Sequence, residues 1–272
     1  MKQKLFVIIT ITSLAISGCG EGVDKQQKAT VTEVKAKDGG EKDKVHERKF
    51  PSSLENGKFF EKEGRKYLYG GEDSLQHFDV TDFSLKEEQF HFGIGREEFP
   101  ALLEPEFISQ KIADTIFSDT ARFLLLKMGT VAKAYSIKDL TRYEVVNDVV
   151  EGKPVMAAYC ILADLGAIYD RTIEGKKYTF ALSGYTYFDK DVWNGLDGFV
   201  MWDRETESLW WPLISKAVSG QMKGTEMKVL DEQYWSQTTW DEIKKKEPEV
   251  QVLKPGQDFE RPKSWPKYTA AS

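Results

Sequence analysis

Beyond about residue 50 the apolar positions fall into short runs broken by Gly, Pro, Asp and Glu, the signature of strands joined by tight turns. Phe59-Phe60 and Lys66-Tyr67-Leu68-Tyr69 flank Glu63-Gly64-Arg65 and predict a hairpin with a glycine turn. A second hairpin is predicted from Ala121 to Tyr135, where Phe, Leu and Val positions surround Gly129. The run Val155-Met156-Ala157-Ala158-Tyr159-Cys160 is apolar at successive positions, so both its faces need cover, as in a central strand. Ala167-Ile168-Tyr169 predicts the next strand. Glu174-Gly175-Lys176 then turns the chain into a strand from Lys177 to Leu182, which Ser183-Gly184 ends. Phe199 to Asp203 and Ser208 to Trp211 bracket Arg204-Glu205-Thr206-Glu207 as one more hairpin.

Helical spacing is confined to short stretches. One runs from Ile108 to Phe117 with Ser109 near its start. Another runs from Ser136 to Val146, with Ser136 as N-cap, Asp139 in the first turn and Ile137 and Leu140 on one face. It would deliver Glu144, Asn147 and Asp148 near its end. A third, Trp240 to Lys246, is capped by Thr238 or Thr239 and closed by Pro248; the tail after Pro255 reads as loosely held. The expected fold is α+β and mainly β: antiparallel sheets built from hairpins, a few short helices, and a single globular domain over residues 50–272.

The start of the chain has a different texture. Lys2 and Lys4 precede an apolar run from Leu5 to Ile16, too short for a comfortable membrane span, and Ile16-Ser17-Gly18-Cys19 resembles a bacterial lipobox. Residues 1–18 then read as a lipoprotein signal peptide and Cys19 as the lipidated, palmitate-bearing N-terminus. Residues 19–49 are rich in Lys, Glu, Asp and Gln with almost no large apolar side chains, so they cannot offset their conformational entropy and read as a polar tether; His46 in it reads as solvated. The implied location is the cell envelope, lipid-anchored. Gly20 after Cys19 favours an outer membrane, facing the periplasm or the surface, in an organism that has one.

Net charge is -6 with both signs interspersed, and no basic stripe argues for nucleic acid as a partner. With Cys19 lipidated, Cys160 is the one remaining cysteine and no intramolecular disulfide can form. The Gly93-Ile94-Gly95 stretch lacks the preceding strand and following helix of a dinucleotide site. No phosphate-binding Gly-rich loop, H-E-x-x-H or G-x-S-x-G is present.

Tyr135, Glu144-Val145-Val146-Asn147-Asp148, Tyr159-Cys160, Asp170-Arg171, Ser183-Gly184 and Trp202-Asp203-Arg204-Glu205-Thr206 with Ser208-Leu209-Trp210 occur in an order that resembles the bacterial family called domain of unknown function 3179. The likeness covers about residues 100–252. The family pattern implies a His before the Glu, a Cys-Pro-Leu-Cys element and a polar residue after the late tryptophan. This chain has Tyr143, Cys160-Ile161-Leu162-Ala163 and Pro212 at those places. Histidine and paired cysteines suit a soft metal or dithiol chemistry, so a centre of that kind would lack three contributors here. No metal and no cofactor is therefore assigned.

Each candidate residue carries a functional and a plainer reading. Cys160 in an apolar strand is a nucleophile or a small buried hydrophobe. Glu144 and Asp148, four apart, form an acid–base or hard-cation pair, or cap and turn the chain with Asn147. Asp203 and Arg204 pin a hairpin turn or contribute to a site. Trp193, Trp202, Trp210 and Trp211 suit a sugar-stacking platform and suit core packing better. Asn147, Ser183, Arg204 and Trp210 are the binding candidates; Glu144, Asp148, Cys160 and Asp203 are the catalytic ones. His77 and His91 lack spaced partners and are not assigned as ligands. Three functions stay open: an anchored binding or accessory protein for a small molecule or an envelope protein, an envelope enzyme or metal/redox protein around Glu144 and Cys160, and a structural interaction protein.

Overall fold

A computed structural model describes residues 55–193 and 197–257. The expected signal peptide, lipidated Cys19 and tether lie outside the described residues, as does the tail from residue 258. Five strands come first: β1 (Glu55–Asn56), β2 (Phe59–Lys62), β3 (Arg65–Leu68), β4 (Phe78–Asp79) and β5 (Phe90–Phe92). The β2–β3 hairpin turns at Glu63-Gly64, where Gly64 takes φ 74°. β5 leads directly into Gly93, correcting the expectation that no strand precedes it, although no helix follows.

Next come β6 (Phe107–Ser109), α1 (Gln110–Ala113), β7 (Arg122–Met128), β8 (Val131–Ser136) and α2 (Ile137–Tyr143). The β7–β8 hairpin closes at Gly129 as expected. Ser136 caps α2 by accepting the Asp139 N–H at 3.0 Å. The helix stops at Tyr143, earlier than expected, because Glu144 turns left-handed (φ 54°) and the chain enters β9 (Val145–Val150). Asn147 and Asp148 are thus strand residues rather than helix-end or turn residues.

β9, β10 (Lys153–Cys160) and β11 (Leu165–Asp170) form a three-stranded antiparallel sheet with β10 in the middle. A small hairpin, β12 (Thr172–Ile173) and β13 (Lys176–Lys177), leads to β14 (Phe180–Tyr187), β15 (Gly198–Asp203), β16 (Leu209–Trp211) and β17 (Lys216–Ala217). These last four join β5 and β1 in a six-stranded sheet. The chain closes with β18 (Trp235–Thr239), α3 (Trp240–Lys246) and β19 (Gln251–Leu253). In the five-stranded sheet β18-β7-β8-β19-β6, the β8–β19 pair is parallel, a departure from the expected antiparallel pattern.

The sheets stack because side chains alternate faces along a strand. On β10, Met156, Ala158 and Cys160 enter the core against the six-stranded sheet, with Trp202, Trp210 and Trp211. Val155, Ala157 and Tyr159 enter a second core against Leu124, Leu126 and α2. The far face of the five-stranded sheet packs Phe123 and Ala134 against Trp240 and Ile243 of α3. A large apolar side chain buried in this way contributes about 1.5–3 kcal/mol relative to exposure. Trp202, Trp210 and Trp211 are fully packed, so the core reading of the tryptophans is the one the structure supports. Gln257 is buried and exchanges hydrogen bonds with the Glu106 backbone, so the chain past Pro255 is tied down at least that far. Among the described residues no helix is long and apolar enough to cross a membrane.

Candidate functional site

Glu144 reaches its position through a backbone device. Its left-handed conformation ends α2, its N–H donates to the Leu140 carbonyl at 2.6 Å, and its own carbonyl receives the Tyr159 N–H at 2.9 Å. The carboxyl is thereby delivered next to the end of β10, where Cys160 faces the same way. Both line a cavity of about 220 Å³ between that strand end and the β14–β15 hairpin. Its other walls are mostly apolar or backbone: Leu182 and Tyr185 of β14, Phe199 of β15, and Gly93-Ile94 after β5, with Thr186 of β14 beside them. Phe99, Ile161 and Leu162 stand at the mouth and are 39%, 41% and 41% exposed.

The electrostatics follow from burial. Loss of water pushes the Glu144 carboxyl up to about 7, opposed only by the Ile161 N–H. Burial likewise pushes the Cys160 thiol up to about 11, with backbone N–H groups of Ala163, Phe199 and Leu162 opposing and the Glu144 charge adding to the rise. A thiol held that high is mostly protonated at neutral pH and is a poor nucleophile. Cys160 and Phe199 also form part of the wall of a second cavity of about 220 Å³, lined on its far side by Tyr169, Pro212 and Leu213.

The other candidates are held by structural bonds, and none except Cys160 joins Glu144 in this cavity. Asp148 faces the second core, paired with Lys133 at 2.7 Å and accepting the Tyr135 hydroxyl at 2.7 Å. The four-residue spacing that suggested a Glu144–Asp148 pair therefore fails: the turn at Glu144 sends the two carboxylates to opposite sides of the central sheet. Asn147 exchanges two hydrogen bonds with the Phe180 backbone, 2.8 and 3.0 Å, imitating a neighbouring strand and tying β9 to β14. Ser183 sits at a bulge in β14, donating to the Val200 carbonyl at 2.6 Å and accepting the Tyr185 N–H at 3.2 Å. Ser183-Gly184 is accordingly an irregularity within β14 and not its end.

Asp203 closes the β15–β16 turn. It accepts the Thr206 N–H (2.6 Å), the Thr206 hydroxyl (2.8 Å) and the Trp210 indole N–H (2.8 Å). Burial pushes its carboxyl up to about 6 against those same donors. Arg204 makes a two-pronged pair with Glu97 at 2.8 and 2.6 Å. Trp210 is fully buried with its edge against Phe180, leaving no face for a sugar.

No local signal along the chain connects His91 with this region. His91 lies on β5 with Nδ1 2.7 Å from Asp197, which also accepts the Thr186 hydroxyl at 2.7 Å. Thr186 lines the cavity, and the Cys160 thiol points to the Asp197 carbonyl at 3.9 Å. Residues more than a hundred positions apart meet because β5 pairs with β14. Among the described residues no three His, Cys, Asp or Glu side chains gather closely enough to share a metal ion. Two of the three places where the chain departs from the family pattern border Cys160: Ala163 by its backbone, Pro212 across the second cavity. Tyr143 instead points into the second core and donates to the Gln257 carbonyl.

Fold and site together define a layered, mainly-β protein with one carboxyl and one thiol set in an apolar cavity. A family model described as "Protein of unknown function (DUF3179)" matches residues 96–270. The chain belongs to that family. No curated protein and no solved structure matches it.

Proposed function

We propose that this chain is a membrane-anchored envelope lipoprotein with a binding or accessory role, and that its ligand is a small molecule held in the cavity between β10 and the β14–β15 hairpin. The observation that carries the reading is the lining itself. A concave apolar space with few polar groups at defined places is the usual form of a small-molecule site. Here those groups are Glu144, Cys160 and Thr186. The remaining polar candidates are engaged in bonds that hold the fold, which favours binding over chemistry.

The reading is tested by extracting the full chain from envelope membranes in a mild nonionic detergent and weighing it by native mass spectrometry. A small-molecule adduct is expected, and it should be lost in Ile161→Trp, which obstructs the mouth from a half-exposed position. An adduct retained in the blocked variant would remove the cavity from consideration.

A second reading, an enzyme at the same pocket, is favoured by one observation. A buried carboxyl near 7 is suited to general acid–base work. A turnover abolished by Glu144→Gln or Cys160→Ala would establish it over the first.

A further inference from the structure

We infer that the cavity takes a small amphiphilic amine: an ammonium group beside Glu144, carried on a short apolar body that fills the space toward the mouth. The inference rests on the binding reading above and names its ligand class. Among the residues lining the cavity, Glu144 is the one that can ionise near neutral pH, and it is only 8% exposed. No lysine, arginine or histidine pairs with it among the described residues. A carboxylate taken out of water with one backbone N–H, that of Ile161, and no cation beside it is costly to ionise, and a cation that supplies the missing charge recovers that cost.

The other polar groups at the cavity do not compete for the ligand's head. The Tyr185 hydroxyl donates to the Tyr69 carbonyl at 2.6 Å, and the Thr186 hydroxyl to Asp197 at 2.7 Å. Apart from the Cys160 sulfur, what they leave facing inward is mostly carbon. Phe99, Tyr185 and Phe199 bring three aromatic rings to the walls, and ring faces attract ammonium groups. An anionic ligand would place like charge beside Glu144. A neutral alcohol would satisfy a hydrogen bond and leave the charge unbalanced.

Size limits the body. A cavity of about 220 Å³ exceeds the roughly 150 Å³ that accommodates benzene, so one ring or a short alkyl chain fits and a long-chain lipid does not.

Three probes of equal length decide the matter: n-hexylamine, n-hexanol and n-hexanoate, titrated into the full chain while the methyl signals of Ile94, Ile161 and Leu162 are followed by NMR. Hexylamine should shift those methyls saturably and bind at least about tenfold more tightly than hexanol, with hexanoate weakest. Glu144→Gln should remove the amine's advantage and leave hexanol within about twofold. If hexanol binds as tightly as hexylamine, or the variant keeps the preference, the amine assignment is wrong while the cavity remains a binding site. If none of the three moves these methyls, the binding reading itself fails and takes the inference with it.

Discussion

Burying Glu144 without a cation leaves a measurable trace in stability. Its carboxyl rises from an ordinary 4.5 to about 7 in the folded chain, so between those values the native state holds a proton that the unfolded state has released. Stability contributed by that proton is full below 4.5, falls as pH rises through the window, and is gone above 7. Glu144→Gln should therefore match the parent near pH 4.5 and exceed it by up to about 3 kcal/mol at pH 8. Urea unfolding at the two pH values checks this, and an unchanged difference between them would show that the carboxyl stays hydrated. Cys160 makes the companion case. A thiol raised from 9.0 to about 11 has about a hundredfold less thiolate at a given pH below 9, so its alkylation by iodoacetamide at pH 8 should be slower by at least that factor in the native chain than in urea. Peptide mass mapping of the Cys160 peptide reads the rate separately from Cys19. Residue type alone indicated that both side chains were candidates. Their poise came from the loss of water and the lack of a cation beside them, which is a property of the folded surroundings.

Between residues and the whole lies the bulge in β14, on which the cavity depends. Gly184 takes φ 82°, and its carbonyl accepts the N–H groups of both Gly93 and Ile94 at 3.0 Å, pulling the 93–99 segment against the strand. A Cβ at this position would stand 2.1 Å from the Ile94 carbonyl oxygen and 2.5 Å from that of Gly95. Gly184→Ala should accordingly cost at least about 2 kcal/mol by strain and backbone displacement. It should also loosen the cavity wall, seen as faster amide exchange at Ile94 and Tyr185. Exchange unchanged at those amides would mean the wall is held by other contacts. Hairpins were legible along the chain wherever a glycine separated alternating apolar runs, as at Gly64 and Gly129, because turn and alternation are local properties. The bulge was not. Ser183-Gly184 looks like any strand end until the Val200 carbonyl and the Gly93–Ile94 backbone are brought to it. The same limit applies to α2: its Ser136 cap is local, whereas its early stop at Glu144 is set by the pairing of β9 with β10.

For the whole molecule, the proposed anchoring makes a prediction independent of the site. Cys19→Ser should move the chain from the membrane pellet to the released fraction, as read by fractionation and immunoblotting, and should abolish incorporation of labelled palmitate; a parent chain already found outside the pellet would remove the anchor from the proposal. The layering of three sheets, with β10 in the middle, explains why one strand supplies residues to two cores and why Glu144 and Asp148 part company across it. By itself the sequence determined the mainly-β class, most hairpins, the central place of Val155 to Cys160, the core role of the tryptophans and the family. These rest on turn residues, alternation and motif order, all readable within a short window. Only the tertiary structure decided which candidates share a site, because that depends on long-range pairing: β5 with β14 brings His91 to Asp197, and the backbone turn at Glu144 points one carboxyl at Cys160 while its neighbour is neutralised by Lys133 on the other side of the sheet.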